Sequence, residues 1–218
     1  SAKSGDLEST LKLVGDGEVG SVTGSGNSAN TKLVLSGEGT NRATITTKDL
    51  GTDNNALGVV ALDNAKGTVT GGVVAGTLEL NNSEMDLSGA LKTRALENAN
   101  NTDRNRTGDV KVTGQSSLNL ASADIGGSLT IDANSSFNTK DNGNVFVRGA
   151  TLVDGAGSSY VASGDSNMGD VTVKDGATFG YDAERNTVGG KLKTMNGSVS
   201  VSSENENNRS QLYASELD

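Results

Sequence analysis

The segment that decides the fold of this chain is GDVTVKDGATF, Gly169–Phe179. Apolar and polar residues alternate over 171–173 and again over 177–179, and the polar run Lys174-Asp175-Gly176 separates the two stretches. Alternation with a period of two places successive side chains on opposite faces of a β-strand. Asp and Gly tolerate the backbone conformations of tight turns. The segment therefore predicts two short strands joined by a corner.

This pattern recurs along the chain from about residue 9 to about residue 201. Clear copies begin at Gly108, Gly127, Gly143 and Gly190, and looser copies occupy 11–19, 33–45, 59–69 and 76–87. The copies recur every ~16 to 32 residues, most often near 20, a period that is typical of solenoid repeats. Because one copy buries little apolar surface, it must stack on its neighbours to be stable.

Two architectures satisfy such a repeat: an antiparallel meander sandwich and a β-solenoid whose equivalent strands stack in parallel. Aromatic residues make up only 3% of the chain, which fits a narrow core of aliphatic layers better than a sandwich. Loops of variable length also favour the solenoid, because insertions leave its stacked strands undisturbed. We predict an all-β, single-stranded parallel β-helix (a β-solenoid) with irregular loops. It forms one domain over residues 1–218, with nine or so coils spaced ~4.8 Å apart.

Two stretches interrupt the repeat. The first is an insertion over 88–107, in which residues 89–97 are good helix formers that predict a short helix. The polar residues 98–106 after it predict an exposed loop. The second stretch is the polar C-terminal tail, 202–218, which we expect either to cap the last coil or to pair with another subunit.

The composition excludes several classes of function. The net charge is −9, from 18 basic and 27 acidic residues, which disfavours binding to nucleic acid and docking on an anionic membrane. No stretch of about 18 apolar residues exists, so no transmembrane helix is expected. Low hydrophobicity with net charge also fits a disordered chain, but the regular alternation favours a folded one. The absence of Cys excludes disulfides and is compatible with export routes that need an unfolded chain.

The residues that usually carry catalysis are scarce. The chain has no His and no Cys, so neither common zinc sites nor nucleophile–base pairs built on these residues are available. The segment 103–108 resembles the start of a calcium-binding EF-hand loop, but Thr107 and Gly114 occupy two ligand positions, so we reject it. Carboxylates remain as candidates, and most of them adjoin Gly or Asn in turns, where Asp is expected for backbone reasons: Asp109, Asp132, Asp141, Asp154, Asp170 and Asp175. We therefore predict no catalytic, cofactor-binding or metal-binding residues.

The segments Gly127–Phe137 and Gly169–Phe179 resemble coils from the passenger domains of bacterial autotransporters. They are also similar to coils of two-partner-secreted, haemagglutinin-type adhesins, and the resemblance extends over about 11–201. It implies a right-handed parallel β-helix carried to the outside of a diderm bacterium. Such passengers commonly mediate adhesion, self-association or biofilm formation, and a minority are proteases or lipases.

The expected function is therefore that of a non-catalytic, extracellular or cell-surface β-solenoid mediating adhesion or self-association. Its expected partners are copies of itself or a host or bacterial surface component, with no nucleic acid, no cofactor and no membrane insertion. The main alternative is a structural subunit that polymerises into an extracellular filament, sheath or surface layer. A glycan-cleaving solenoid is a further alternative, and it would need a cluster of carboxylates on one face.

Overall fold

A computed structural model describes residues 8–98, 105–181, 185–201 and 211–218. The described residues contain no helix, and 64% of the chain is β-strand. The strands are β1 (Ser9–Val14), β2 (Gly17–Val19), β3 (Thr31–Ser36), β4 (Ala43–Thr47), β5 (Leu57–Asp63), β6 (Ala65–Val69), β7 (Val73–Asn81), β8 (Glu84–Thr93), β9 (Ala95–Leu96), β10 (Arg106–Thr107), β11 (Val110–Thr113), β12 (Ser117–Ile125), β13 (Leu129–Ile131), β14 (Ser136–Thr139), β15 (Val145–Val147), β16 (Thr151–Asp154), β17 (Ser159–Ala162), β18 (Ser166–Met168), β19 (Val171–Lys174), β20 (Thr178–Tyr181), β21 (Arg185–Met195), β22 (Ser198–Val201) and β23 (Gln211–Leu217).

The strands stack in three parallel columns that form the sides of a solenoid. Column A contains β1, β3, β5, the end of β7, β11, β13, β16, β19 and the ends of β21 and β23. Column B contains β2, β4, β6, the start of β8, the start of β12, β14, β17, β20 and β22. Column C contains the start of β7, the ends of β8 and β12, β15, β18 and the starts of β21 and β23.

This arrangement confirms the predicted fold class. The chain forms a β-solenoid of about 9 turns, which we number as coils 1 to 9 from the N-terminal end. Coils 5, 6, 7 and 8 begin at β11, β13, β16 and β19, and coil 9 begins at Lys191. Among the named strands of the described residues, only the short pair β9–β10 is antiparallel, so the meander sandwich is not the architecture. With strands ~4.8 Å apart, the stack is roughly 40 Å long.

The core is a narrow stack of inward-facing side chains, most of them aliphatic. In column A, Leu33, Val60, Leu78 and their counterparts in later coils lie directly over one another and are almost fully buried. Large rings enter only column B of coils 6 to 8, where Tyr160 stacks between Phe137 at 5.3 Å and Phe179 at 4.7 Å. The aliphatic layers that the composition predicted are thus interrupted by one aromatic stack.

The corner between columns A and B is built from two positions. The first is commonly a non-glycine residue with positive φ, as at Asn82 (47°) and Asn134 (61°), and Asn tolerates this conformation better than most residues. The second is a buried serine whose hydroxyl accepts an amide hydrogen bond from the preceding coil. This serine ladder contains Ser83, Ser116, Ser135 and Ser158, and they accept from the amides of Ala65, Ser83, Ser116 and Asn134 at 3.0–3.1 Å.

Column C was not anticipated from the sequence. Each predicted copy contained two strands, whereas each coil from the third onward has three. The copy at Gly143 begins in column C, because Val145–Val147 pairs with the end of β12 and with β18. The copies at Gly127 and Gly169 begin in column A, so the Gly143 copy is out of phase with them.

The short helix predicted over 89–97 is wrong. Residues 84–93 form the single strand β8, and Leu91 and Thr93 lie buried in column C between Val73 and Ala75 on one side and the end of β12 on the other. Pairing on both sides satisfies the backbone of this stretch, and this tertiary context overrides its helix propensity. The insertion that does leave the solenoid starts after Thr93.

Of the predicted exposed loop over 98–106, Asn98 is buried, and residues 99–104 lie outside the described residues. Near this loop, Leu96 packs with Ala29 and Ala56 from two earlier loops into a small second core beside columns A and C. In the C-terminal tail, 202–210 are also outside the described residues. Residues 211–217 form β23, which adds a final strand beside β21.

Candidate functional surface

The six candidate carboxylates lie at three different corners of the solenoid. Asp109 and Asp170 occupy the corner between columns C and A. The Oδ1 atom of Asp109 accepts the amide of Ser128 at 2.8 Å, and that of Asp170 accepts the amide of Lys191 at 2.8 Å. Each aspartate therefore receives a backbone amide from the following coil. This confirms the expectation that these aspartates serve the turns.

Asp132, Asp154 and Asp175 lie at the corner between columns A and B in coils 6, 7 and 8. The Nζ atom of Lys174 lies 2.9 Å from Asp154 and 3.6 Å from Asp175. Burial and the neighbouring Asp154 carboxylate raise the pKa of Asp132 above its usual value. The hydrogen bond and charge of Asp154 raise the pKa of Lys174, so this cation keeps its charge over the ordinary pH range.

Asp141 lies apart from the other five, in an exposed turn between columns B and C, with a φ of 52°. The structure thus brings three of the six carboxylates to one edge, with Lys174 among them, and places the other three elsewhere. In the part of the chain that the structure describes, no group of three or more His, Cys, Asp or Glu side chains is placed to hold a metal ion.

A surface that the sequence reasoning missed lies on column B of coils 5 to 9. Its ten outward positions form two rows that run parallel to the solenoid axis, and we call them the neutral strip. One row is Ser117, Ser136, Ser159, Thr178 and Ser198, and the other is Asn119, Asn138, Val161, Gly180 and Ser200. None of these ten residues carries a charge, in a chain of which 21% of the residues are charged.

Three side chains at the start of the strip hydrogen-bond to one another. The Nδ2 atom of Asn138 donates to Oδ1 of Asn119 at 3.2 Å, and Nδ2 of Asn119 donates to Oγ of Ser117 at 3.2 Å. An asparagine amide has four hydrogen-bonding positions, so these bonds leave capacity for a partner in solution. These bonds hold the two amides in one orientation, which lowers the entropic cost of engaging them.

Charged residues border the strip without entering it. In coils 3 and 4, the equivalent outward positions of column B include Lys66, Glu84 and Asp86. Lys140, directly after β14, reaches back to Asp86 with an Nζ–Oδ1 distance of 3.0 Å. The neutral strip therefore begins where the charged part of column B ends.

Exposed apolar side chains are concentrated at the two ends of the described solenoid. Leu11 in the first coil is 48% exposed, and in the last strands Val201 is 41% and Leu217 is 74% exposed. All three continue core columns, since they pair with the buried residues Leu33, Tyr181 and Leu192. They are exposed because no described strand packs on their outer side.

Comparison of the chain with known protein families, curated proteins and solved structures finds no match. In the described ranges, no helix is long and apolar enough to cross a membrane.

Proposed function

We propose that this chain is a non-catalytic, extracellular β-solenoid of a bacterial cell surface that mediates adhesion or self-association. The observation that carries the proposal is the neutral strip, which repeats a hydroxyl side chain in one row over five successive coils and holds only uncharged residues in the other. A repeated array on the outer face of the solenoid suits contact with an extended partner. The resemblance to autotransporter and haemagglutinin-type passengers supports the location.

The non-catalytic part of the proposal is supported by the roles of the carboxylates. The carboxylates of Asp109 and Asp170 each accept a hydrogen bond from a backbone amide, and Lys174 forms an ion pair with Asp154. An acid–base pair for glycoside hydrolysis would need two carboxylates facing a sugar across a defined gap. Asp132 and Asp154 are the pair to test, by incubating the protein with polysaccharides and measuring released reducing ends. Hydrolysis that disappears in Asp132→Asn would contradict the proposal.

The direct test of adhesion uses microbeads coated with the purified protein. We expect the beads to cluster with one another or to attach to bacterial or host cells, whereas beads coated with an unrelated acidic protein of similar charge should do neither. If both kinds of bead stay dispersed and unattached, the proposed function is wrong.

A second candidate function is a subunit that polymerises end to end. The observation that favours it is the exposure of Leu11, Val201 and Leu217 at the ends of the core columns. Electron microscopy over a concentration series would test it, with Leu217→Lys as the variant and Phe146→Lys, a change at an exposed residue in the middle of the solenoid, as the control. Filaments that shorten only in Leu217→Lys would support polymerisation, and discrete short rods at every concentration would refute it.

A further inference from the structure

We infer that the neutral strip binds an uncharged, linear polysaccharide along the solenoid axis. This inference rests on the proposed adhesive function and assigns it a partner class and a site. It is carried by the chemistry, the charge and the dimensions of the strip.

The chemistry of the strip matches that of sugar hydroxyl groups. Hydroxyls such as Ser136 and Ser159 can donate and accept, and the amides of Asn119 and Asn138 present a donor and an acceptor side by side. A pyranose ring offers neighbouring hydroxyls that each donate and accept, so it can pair with both groups. Val161, which is 36% exposed, provides an apolar contact for the C–H face of a ring.

The charge distribution selects a neutral glycan. The chain carries a net charge of −9, which repels sulfated and carboxylated polysaccharides. The strip itself holds no cation that could attract an acidic sugar, and the nearby Lys140 is already paired with Asp86. An uncharged polymer meets no repulsion there and leaves no buried charge without a partner.

The dimensions favour a chain-like ligand over a second copy of the protein. Five strands spaced ~4.8 Å apart and two residue positions per strand give a strip of roughly 25 by 12 Å, or about 300 Å². A stable protein–protein interface needs about 800 Å² on each partner. A linear glycan needs only a narrow track, and the coil spacing is close to the length that one pyranose adds to an extended chain.

The test measures the binding of uncharged oligosaccharides of increasing length, from glucan, mannan, galactan and chitin, by isothermal titration calorimetry and saturation-transfer NMR. We expect at least one series to bind, with an affinity that rises up to about five sugar units, one for each coil of the strip, and then levels off. Heparin and polygalacturonate should bind more weakly than the neutral series.

Two matched variants locate the site. Asn138→Asp places a charge in the strip, and Asn167→Asp makes the same change at an exposed, outward position of column C in the next coil. We expect Asn138→Asp to weaken binding by at least about tenfold, because its carboxylate loses donors and must be desolvated, while Asn167→Asp changes it less than twofold. Ser159→Asp repeats the test one coil further on, should Asn138→Asp fail to fold.

Two results would overturn the inference: no uncharged glycan binds, or the column B and column C variants weaken binding equally. Bead attachment separates this failure from that of the proposed function. If Asn138→Asp beads still cluster or attach while no glycan binds, adhesion stands and the glycan assignment falls. If Asn138→Asp beads no longer cluster and no glycan binds the unmodified protein, the strip is instead a contact between copies of the chain.

Discussion

The aromatic stack in column B should dominate the stability of coils 6 to 8. Tyr160 is fully buried, lies between Phe137 and Phe179, and meets Tyr181 edge-on at a centroid distance of 6.0 Å. Truncating a buried aromatic residue to Ala costs about 3–5 kcal/mol. Because three ring contacts of Tyr160 are lost together, we expect Tyr160→Ala to lower the free energy of unfolding by about 4–5 kcal/mol.

The hydroxyl of Tyr160 allows a smaller, separate test. It lies 3.2 Å from the Oγ atom of Ser166, and Tyr160→Phe keeps the rings while removing that hydrogen bond, so it should cost only about 1 kcal/mol. Urea unfolding followed by far-UV circular dichroism measures both variants, and hydrogen exchange shows whether the loss is confined to coils 6 to 8. The control is Tyr213→Ala, at a residue that is 54% exposed, which should cost less than about 0.5 kcal/mol. If Tyr160→Ala costs no more than Tyr213→Ala, the stack does not hold these coils together.

Three further predictions concern the corners and the titration of the core. Ser135→Ala should cost about 1–3 kcal/mol by urea unfolding, because the buried amide of Ser116 loses its acceptor; a cost near zero would refute the ladder. Asp170→Ala should cost about 1 kcal/mol, while Asp170→Asn, which keeps an acceptor for the amide of Lys191, should cost less; equal costs would contradict the turn role. Burial raises the pKa of Tyr160, so the folded state holds its proton where the unfolded state loses it, and unfolding titrations should show stability that falls as the pH rises above about 10; a flat profile would contradict this.

Columns A and B could be predicted from the sequence because their inward positions are mostly apolar. Val171 and Val173 alternate with polar residues, so the period of two is visible in the sequence alone. Column C was missed because inward positions such as Ser166 and Asn186 are polar although both are buried. Local alternation therefore marked a column C strand only where its inward residues are apolar, as at Val145–Val147, and that copy was out of phase with the others.

The corner aspartates were predictable, since a turn uses Asp for reasons that lie within a few residues. The neutral strip was not, because it exists only after the strands have been aligned. Ser117, Ser136 and Ser159 are far apart in sequence and become neighbours through strand pairing. Unequal loop lengths hide this alignment from a search for fixed periods. For the same reason, helix propensity gave a wrong prediction over 89–97, because residues 90–93 pair with strands of other coils.

The serine ladder makes the two ends of the rod inequivalent. Each buried hydroxyl accepts an amide from the coil before it, so each of coils 3 to 6 depends on its successor for one acceptor. Deleting one of the successor coils from the C-terminal side leaves a buried N–H group without its acceptor. Deleting coils from the N-terminal side leaves only a serine hydroxyl with an unused lone pair, which costs less free energy. During synthesis from the N-terminus, each new corner stays incomplete until the next coil has been made. Truncation series from the two ends should therefore lose stability at different rates, with the steeper loss on the C-terminal side.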